Sequence, residues 1–289
     1  MISPASCLRL PCLLFPASRL LFPALPYNPR NVPSGRSLAI RVLGPYGGSA
    51  PGYRMTTFVI DGETALDAGA LTDALPISAQ RRLRRVVLTH AHLDHVASLP
   101  FLVENVYGRE RPLEIIAPAP VLRTLSRHIF NDAAWPDFSR LPSRRRPTIV
   151  FRPVAVGRPF AAGAVRFTPL PVDHIVPAYG YFVSKPGRSV LFSGDTMPTH
   201  RLWKHAGRAR DLKAIFLEVS FSDSQAAVAR ASCHLTPQLL PAELAKAPAR
   251  VPVFLYHMKP PSLSRIRREV ARLDEPRLRL LESERSFRF

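Results

Sequence analysis

Residues 85–100 read "RVVLTHAHLDHVASLP", a run of apolar, β-branched residues followed by His90, His92, Asp94 and His95. Val86 to Leu88 have the composition of a buried strand, and the donors begin where that strand stops. His90 and His92 are two apart, so they point the same way from an extended backbone. Asp94 and His95 fall where the chain turns toward a helix. Four nitrogen and oxygen donors converging on one strand end are the means of sharing an electrophile, and the electrophile that suits them is a metal ion. Such a loop can serve two ions.

Three more donors occur at the same kind of place. His174 ends "FTPLPVDH", Asp195 ends "VLFSGD" and His257 ends "VPVFLYH", each after an apolar run. In layered α/β folds ligands gather in the crevice at the carboxyl ends of the strands, where residues far apart in sequence meet. His90, His92, Asp94, His95, His174, Asp195 and His257 together make up the donor set of a binuclear site. One histidine or aspartate at a strand end is often only a turn former, so the joint pattern carries the reading.

Outward from the cluster, the chain alternates. "SLAIRVL", "RMTTFVI" and "TALDAG" read as a meander of short strands separated by Gly/Pro turns. "ALPISAQRRL", "VASLPFLVENVYG" and "APVLRTLSRHIFND" then read as helices between the strands "RRVVLT" and "PLEIIAP". "WPDFSRLPSRRRP" is a loop in which Arg144, Arg145 and Arg146 read as a solvated cluster. A second block follows, with strands "TIVFRPV", "AVRFTPLPVDH", "AYGYFVSK" and "RSVLFSGD" set apart by the turns "VGRPFAAG" and "KPGR". The last third alternates the strands "AIFLEVS", "VPVFLYH" and "RLRLL" with the helices "SQAAVARA", "TPQLLPAELAKA" and "SLSRIRREVARL". Two such blocks predict an α/β (α+β) fold in which two sheets pack face to face with helices on both outer faces.

Composition bounds the rest. At 289 residues and 46% hydrophobic, the chain can bury a large core. Proline or arginine interrupts "LRLPCLLFPASRLLFPALP" every few residues, so no membrane span and no secretion signal is expected. Residues 1–37 have no helical or strand period and read as an unordered N-terminal extension ahead of a catalytic domain over 38–289. Cysteines stand at 7, 12 and 233, an odd count without a CxxC pair, which points to a reducing, cytoplasmic setting. The formal charge of +19 comes almost wholly from arginine scattered end to end, which favours anionic partners without naming one.

The motif "HAHLDH", with the later single donors His174, Asp195 and His257, resembles the metallo-β-lactamase superfamily over most of residues 38–289. That resemblance implies a four-layer αββα sandwich in which His90, His92 and His174 hold one ion. Asp94, His95 and His257 hold the other, and Asp195 bridges both. Two divalent ions are implied, zinc by default, with manganese or iron compatible with mixed donors. Within the superfamily, "LTHAHLDHVASLP", "LFSGDT", "IFLEVSF", "ASCHLTP" and "YHMKP" resemble the bacterial class II 3′,5′-cyclic-nucleotide phosphodiesterases. Ser98 stands where glycine is the commoner residue.

The resemblance implies hydrolysis of cyclic AMP or cyclic GMP to the 5′-monophosphate, a small anionic nucleotide being the partner. The ribose 3′ oxygen is a poor leaving group unless protonated, so an acid near the ions is needed. By the same resemblance His234 lies over the site and Glu218 orients it, and these two join Asp94 as the catalytic candidates. The rival reading is an RNA 3′-end processing endonuclease of the RNase Z type, which would use the same metal set and the basic charge. A homodimer is left open. Lys259 could meet the phosphate but reads first as a solvated surface lysine, and His128, His200 and His205 read as structural or surface residues. Cys233 lacks a base–nucleophile–orienter arrangement and is not expected to act as a nucleophile.

Overall fold

Proline and glycine punctuate the apolar runs so often that no strand among the described residues exceeds seven residues. The computed structural model of the protein describes residues 37–289. The expected extension over 1–37, with Cys7 and Cys12, therefore lies outside the described residues apart from Ser37. The chain opens with an antiparallel meander, β1 (Ala39–Gly44), β2 (Thr57–Ile60) and β3 (Thr64–Leu66). Two single-turn helices follow, α1 (Leu71–Ala74) and α2 (Ile77–Gln80), where one helix was expected. Pro76 causes the break, since it forces Leu75 into an extended conformation, ψ 134°. Beyond β4 (Arg85–Val87) come α3 (Leu93–Val96), α4 (Leu99–Asn105), β5 (Leu113–Pro118) and α5 (Ala119–His128). The expected arginine loop carries only a two-residue pairing, β6 (Pro142–Ser143) with β7 (Arg146–Pro147), before β8 (Ile149–Val154).

The second block holds β9 (Phe160–Ala162), β10 (Val165–Pro171), β11 (Tyr179–Lys185) and β12 (Arg188–Phe192), all antiparallel neighbours. Then come α6 (Arg201–Ala206), β13 (Leu212–Glu218), α7 (Ala226–Ala231), α8 (Leu240–Leu244), β14 (Val253–Tyr256), α9 (Leu263–Arg272), β15 (Leu278–Leu280) and β16 (Ser286–Arg288). One seven-stranded sheet runs β16-β1-β2-β3-β4-β5-β8 and the other β15-β14-β13-β12-β11-β10-β9. Besides the short β6 and β7, two strands of the large sheets escaped the sequence reading. β9 sits between Pro159 and Gly163 and read as a turn, and β16 offers only Phe287 and Phe289 as a period-2 signal. β16 nonetheless pairs with β1, Ala39 opposite Arg288, and the Phe287 ring packs tilted against Phe254 at 4.6 Å.

The alternation of the strands puts one face of each sheet toward the other. Phe58 of β2 meets Phe192, Phe216 and Tyr256 of the opposite sheet at ring distances of 5.0, 5.8 and 5.4 Å. Truncating such a ring to alanine costs about 3–5 kcal/mol, so this contact is a principal hold between the sheets. On the outside, Leu99, Leu102, Val121 and Leu125 cover the first sheet from α4 and α5. Leu263, Ile266 and Val270, spaced to form one stripe of α9, cover the second along with Leu202 and Trp203 of α6. The result is the four-layer αββα sandwich. Two bonds tie the sheets beside the histidine motif: Tyr181 Oη donates to the Leu88 carbonyl at 3.0 Å, and the Tyr179 amide to that of Thr89 at 3.1 Å.

Candidate metal centre

The predicted donors gather at the carboxyl ends of strands, where the hydrogen-bonded ladder stops and the backbone is free to turn a side chain inward. His257 directly follows β14, and His90, His174 and Asp195 each lie three residues beyond β4, β10 and β12, while Asp94 and His95 stand on α3 with His92 at its N-cap. The turns need unusual backbone. Gly194 sits at φ +63°, and a Cβ there would come within 2.8 Å of the Tyr179 carbonyl. His257 itself adopts φ 67°, costly for a non-glycine residue and of the kind that persists where surrounding structure over-determines it. Its amide donates to the Pro45 carbonyl, and the absence of a side chain at Gly47 leaves room for its ring.

The structure brings all seven predicted donors together. His90, His92, His174 and Asp195 form one group and Asp94, His95 and His257 another, each with its nitrogen or oxygen atoms within 4.8 Å of one another. Asp195 reaches into both: its Oδ2 lies 3.5 Å from His90 Nε2, 3.2 Å from His95 Nε2 and 3.4 Å from His257 Nε2. His174 Nε2 stands 3.2 Å from His92 Nδ1, and His257 Nε2 lies 3.3 Å from Asp94 Oδ2.

The surrounding hydrogen bonds fix which nitrogen faces inward. Asp67 accepts from His95 Nδ1 at 2.7 Å and from the Thr89 hydroxyl, whose oxygen in turn accepts from His90 Nδ1 at 3.0 Å. Ser220 donates to Glu218 Oε2 and accepts from His257 Nδ1 at 2.8 Å, and the Cys233 carbonyl accepts from His174 Nδ1 at 3.1 Å. On this assignment the Nε2 atoms of His90, His95, His174 and His257 carry bare lone pairs into one space. His95 and His257 hold theirs 3.0 Å apart. Asp195 Oδ1 and Oδ2 and His90 Nε2 are buried without a hydrogen-bond partner. Orphaned acceptors of this kind are costly unless a cation satisfies them, so the donor set fits divalent metal ions.

Electrostatics agree. Burial lowers the pKa of His90 far below the usual imidazole range, and His95 adds to the effect. Burial also lowers His92, His174 and His257, leaving neutral rings of the kind that ligate metals. Burial opposes ionisation of Asp195, but His257, His95 and His90 outweigh it and hold the carboxylate charged. For Asp94 burial is likewise overcome, by the His257 hydrogen bond and the charge of His95. His95 is the exception: burial would lower it, but Asp195 and Asp67 outweigh that and raise it, so a metal ion there would have to displace a proton from its Nε2.

His234 and Glu218 also meet at the site. Glu218, fully buried at the end of β13, accepts from His234 Nδ1 at 3.0 Å, from the Thr196 amide and from the Leu235 amide. His234 Nδ1 lies 4.0 Å from Asp195 Oδ2. Burial would lower the His234 pKa, but Glu218 outweighs it and raises it. Lys259 corrects the sequence reading: it is not a solvated lysine, since its Nζ pairs with Asp94 Oδ2 at 3.0 Å. Its proximity arises because the tight turn at His257 folds "HMKP" back over the motif helix, which no local pattern announces. Asp67, Thr89 and Ser220 were missed altogether, although Asp67 closes the apolar run "TAL" just as Asp195 closes its own. Arg144–Arg146 are exposed as expected, and so are His128 and His200, while His205 packs on Phe182 at 4.7 Å.

A family model described as "Beta-lactamase superfamily domain" matches residues 56–258, well over half of the chain. This chain belongs to the beta-lactamase superfamily. Among its superfamily relatives, a 3′,5′-cyclic-nucleotide phosphodiesterase of Aliivibrio fischeri is 27% identical over 70% of this chain and 73% of that protein. A ribonuclease Z of Bradyrhizobium diazoefficiens is 29% identical over 54% of this chain and 66% of that protein. In fold, the chain is similar to unliganded yeast PDE1, with a TM-score of 0.73 at 17% identity over 86% of this chain and 98% of that one. The metallo-beta-lactamase fold protein YhfI of Bacillus subtilis gives 0.69 at 16% identity over 88% and 99%. Superfamily and fold together make the chain a hydrolase that employs divalent metal ions. Among the described residues no helix is long and apolar enough to cross a membrane.

Proposed function

We propose that this chain is a binuclear metal-dependent phosphodiesterase that hydrolyses 3′,5′-cyclic nucleotides to 5′-monophosphates. The observation that carries this is the meeting of two three-residue donor groups on Asp195 Oδ2. In the proposal His90, His92 and His174 hold one ion, Asp94, His95 and His257 the second, and Asp195 both, with zinc as the default and manganese or iron as alternatives. Bound there, paired divalent ions supply an acidified water and positive charge for the phosphoryl oxygens.

The protein's own groups do the rest. Glu218 occupies His234 Nδ1, so Nε2 is the nitrogen left to carry a proton to the ribose 3′ oxygen as its bond to phosphorus breaks. The raised His234 pKa keeps that proton available near neutral pH. Glu218 is a positioning residue, fixed by two backbone amides and the Ser220 hydroxyl. The Aliivibrio relative, similar over most of both chains, supports the cyclic-nucleotide substrate. The ribonuclease Z relatives and the charge of +19 support RNA 3′-end cleavage as the second reading.

One metal-loaded preparation assayed against cyclic AMP, cyclic GMP, bis(p-nitrophenyl) phosphate and a precursor tRNA separates these. Selective opening of a cyclic nucleotide is expected, and cleavage of the tRNA alone would replace this reading with the second. His234→Ala is expected to keep its metal while losing roughly 10²–10⁴-fold in turnover, the range for a general acid. Undiminished turnover would remove His234 from the mechanism.

A further inference from the structure

A cavity of 690 Å³ lies on the α5 side of the first sheet and takes no part in the metal centre. Its position is set by topology. β4, β5 and β8 are parallel neighbours, so the His90 loop, the start of α5 and Pro153 emerge at the same sheet edge. Adjacent strands lie about 4.8 Å apart, which puts β8 about 10 Å from β4. Pro177, which also lines the cavity, is three residues from His174 and so within about 11 Å of it along the chain. A ligand whose phosphate sits among the donors can therefore extend into this cavity.

The lining states what it can accept. Arg123 and Arg127 are one helical turn apart on α5 and stand on one face of it, and they line the cavity together with the flat apolar surfaces of Phe151, Pro153 and Pro177. No aspartate, glutamate, asparagine or glutamine lines the cavity, and the polar side chains beside the two arginines are the Thr124 and Ser126 hydroxyls and the His128 ring. Flat walls with a guanidinium fork suit a planar heterocycle that presents two acceptors side by side. Guanine does so through N7 and O6, whereas adenine pairs N7 with an amino donor, which a guanidinium cannot accept.

We propose that this cavity is the base-binding subsite and that Arg123 and Arg127 select guanine, which makes cyclic GMP the preferred substrate. The inference rests on the cyclic-nucleotide reading above and deepens it. The test is kcat/KM for cyclic GMP and cyclic AMP with the metal-loaded full chain, its Arg123→Ala/Arg127→Ala double variant and Arg127→Ala alone. Metal content and circular dichroism establish that each variant is folded and loaded. Wild type is expected to prefer cyclic GMP by about tenfold or more, the scale of one bidentate arginine–guanine pair, and the double variant to retain less than about threefold. A preference for cyclic AMP, or a guanine preference that the double variant keeps, overturns the subsite. Equilibrium binding of 5′-GMP and 5′-AMP separates the two levels. If neither cyclic nucleotide is opened, the reading of the reaction fails, yet tighter GMP binding lost in the double variant would still support the subsite. Equal binding of the two monophosphates would overturn it.

Discussion

The two sides of the metal centre are built differently. On one, His95 and His257 are fully buried, and each has its outer nitrogen held by a side chain, Asp67 at 2.7 Å and Ser220 at 2.8 Å. On the other, His92 and His174 are only half-buried and His174 is steadied by a backbone carbonyl, although His90 is as buried as His95 and bonds the Thr89 hydroxyl. Ligands locked before binding lose less freedom when an ion arrives, so the buried side is the tight site. The half-buried side is the more open to solvent, and an ion bound there is expected to exchange faster. Asp195 belongs to both, which makes it the place to break the contrast. Asp195→Asn is expected to empty both sides and take turnover to the detection limit, measured as metal per chain after gel filtration. Retention of one full equivalent would mean the sides do not share this carboxylate.

Asp67 tests the asymmetry itself. Asp67→Ala leaves His95 Nδ1 only the Thr89 hydroxyl at 3.3 Å and slackens that hydroxyl, which also holds His90, while His174 keeps its carbonyl. Metal affinity on the buried side is expected to fall about 10–100-fold, the usual scale for losing a partner of a ligating histidine. The other side should change less, read by titration with a chelator that resolves two release steps. Equal loss on both sides would show that Asp67 supports the centre as a whole.

How much of this was legible in the sequence follows from where the information sits. A ligand announces itself because histidine or aspartate at the end of an apolar run is chemically out of place, and "HAHLDH" concentrates four such residues. The strands and helices around it were equally legible, since their period is local. What supports the ligands is not local. Ser98, read as a departure from glycine, accepts from the Leu71 amide at 2.7 Å and donates to the Ala68 carbonyl at 2.6 Å, welding the Asp67 loop to the motif helix. A buried serine that bonds backbone thirty residues away looks like any other serine in a one-dimensional reading. Ser220 and Lys259 were hidden for the same reason. β16 was hidden because edge pairing with β1 needs little more than two phenylalanines of its own.

Acid separates the two sides more gently than mutation. Burial lowers the pKa values of His90, His92, His174 and His257 in the folded chain. Protons compete with an ion only below the folded pKa, so an ion held by His90, His92 and His174 should be retained as pH falls through the ordinary imidazole value of about 6.5. Release from that side begins below it, where protonated His92 and His174 can be solvated, whereas His95, raised by Asp195 and Asp67, gives the buried side no such protection. Metal retained after dialysis across a pH series measures this, and simultaneous loss of both ions above that value would contradict it.

The smallest expected effect belongs to Lys259. Its ammonium pairs with Asp94 Oδ2, the same oxygen that lies 3.3 Å from His257 Nε2, so it occupies an acceptor that an ion on the buried side would use. Lysine side-chain exposure of 24% keeps the pair partly screened, and its contribution to stability is at most about 1 kcal/mol. Lys259→Met removes the competitor and keeps most of the packing volume. Affinity on the buried side should then rise by up to about fivefold, the equivalent of that energy, with thermal stability of the metal-free chain slightly lower. A fall in affinity would instead mean that Lys259 holds Asp94 in its ligating pose, and the buried side would owe part of its preorganisation to a cation.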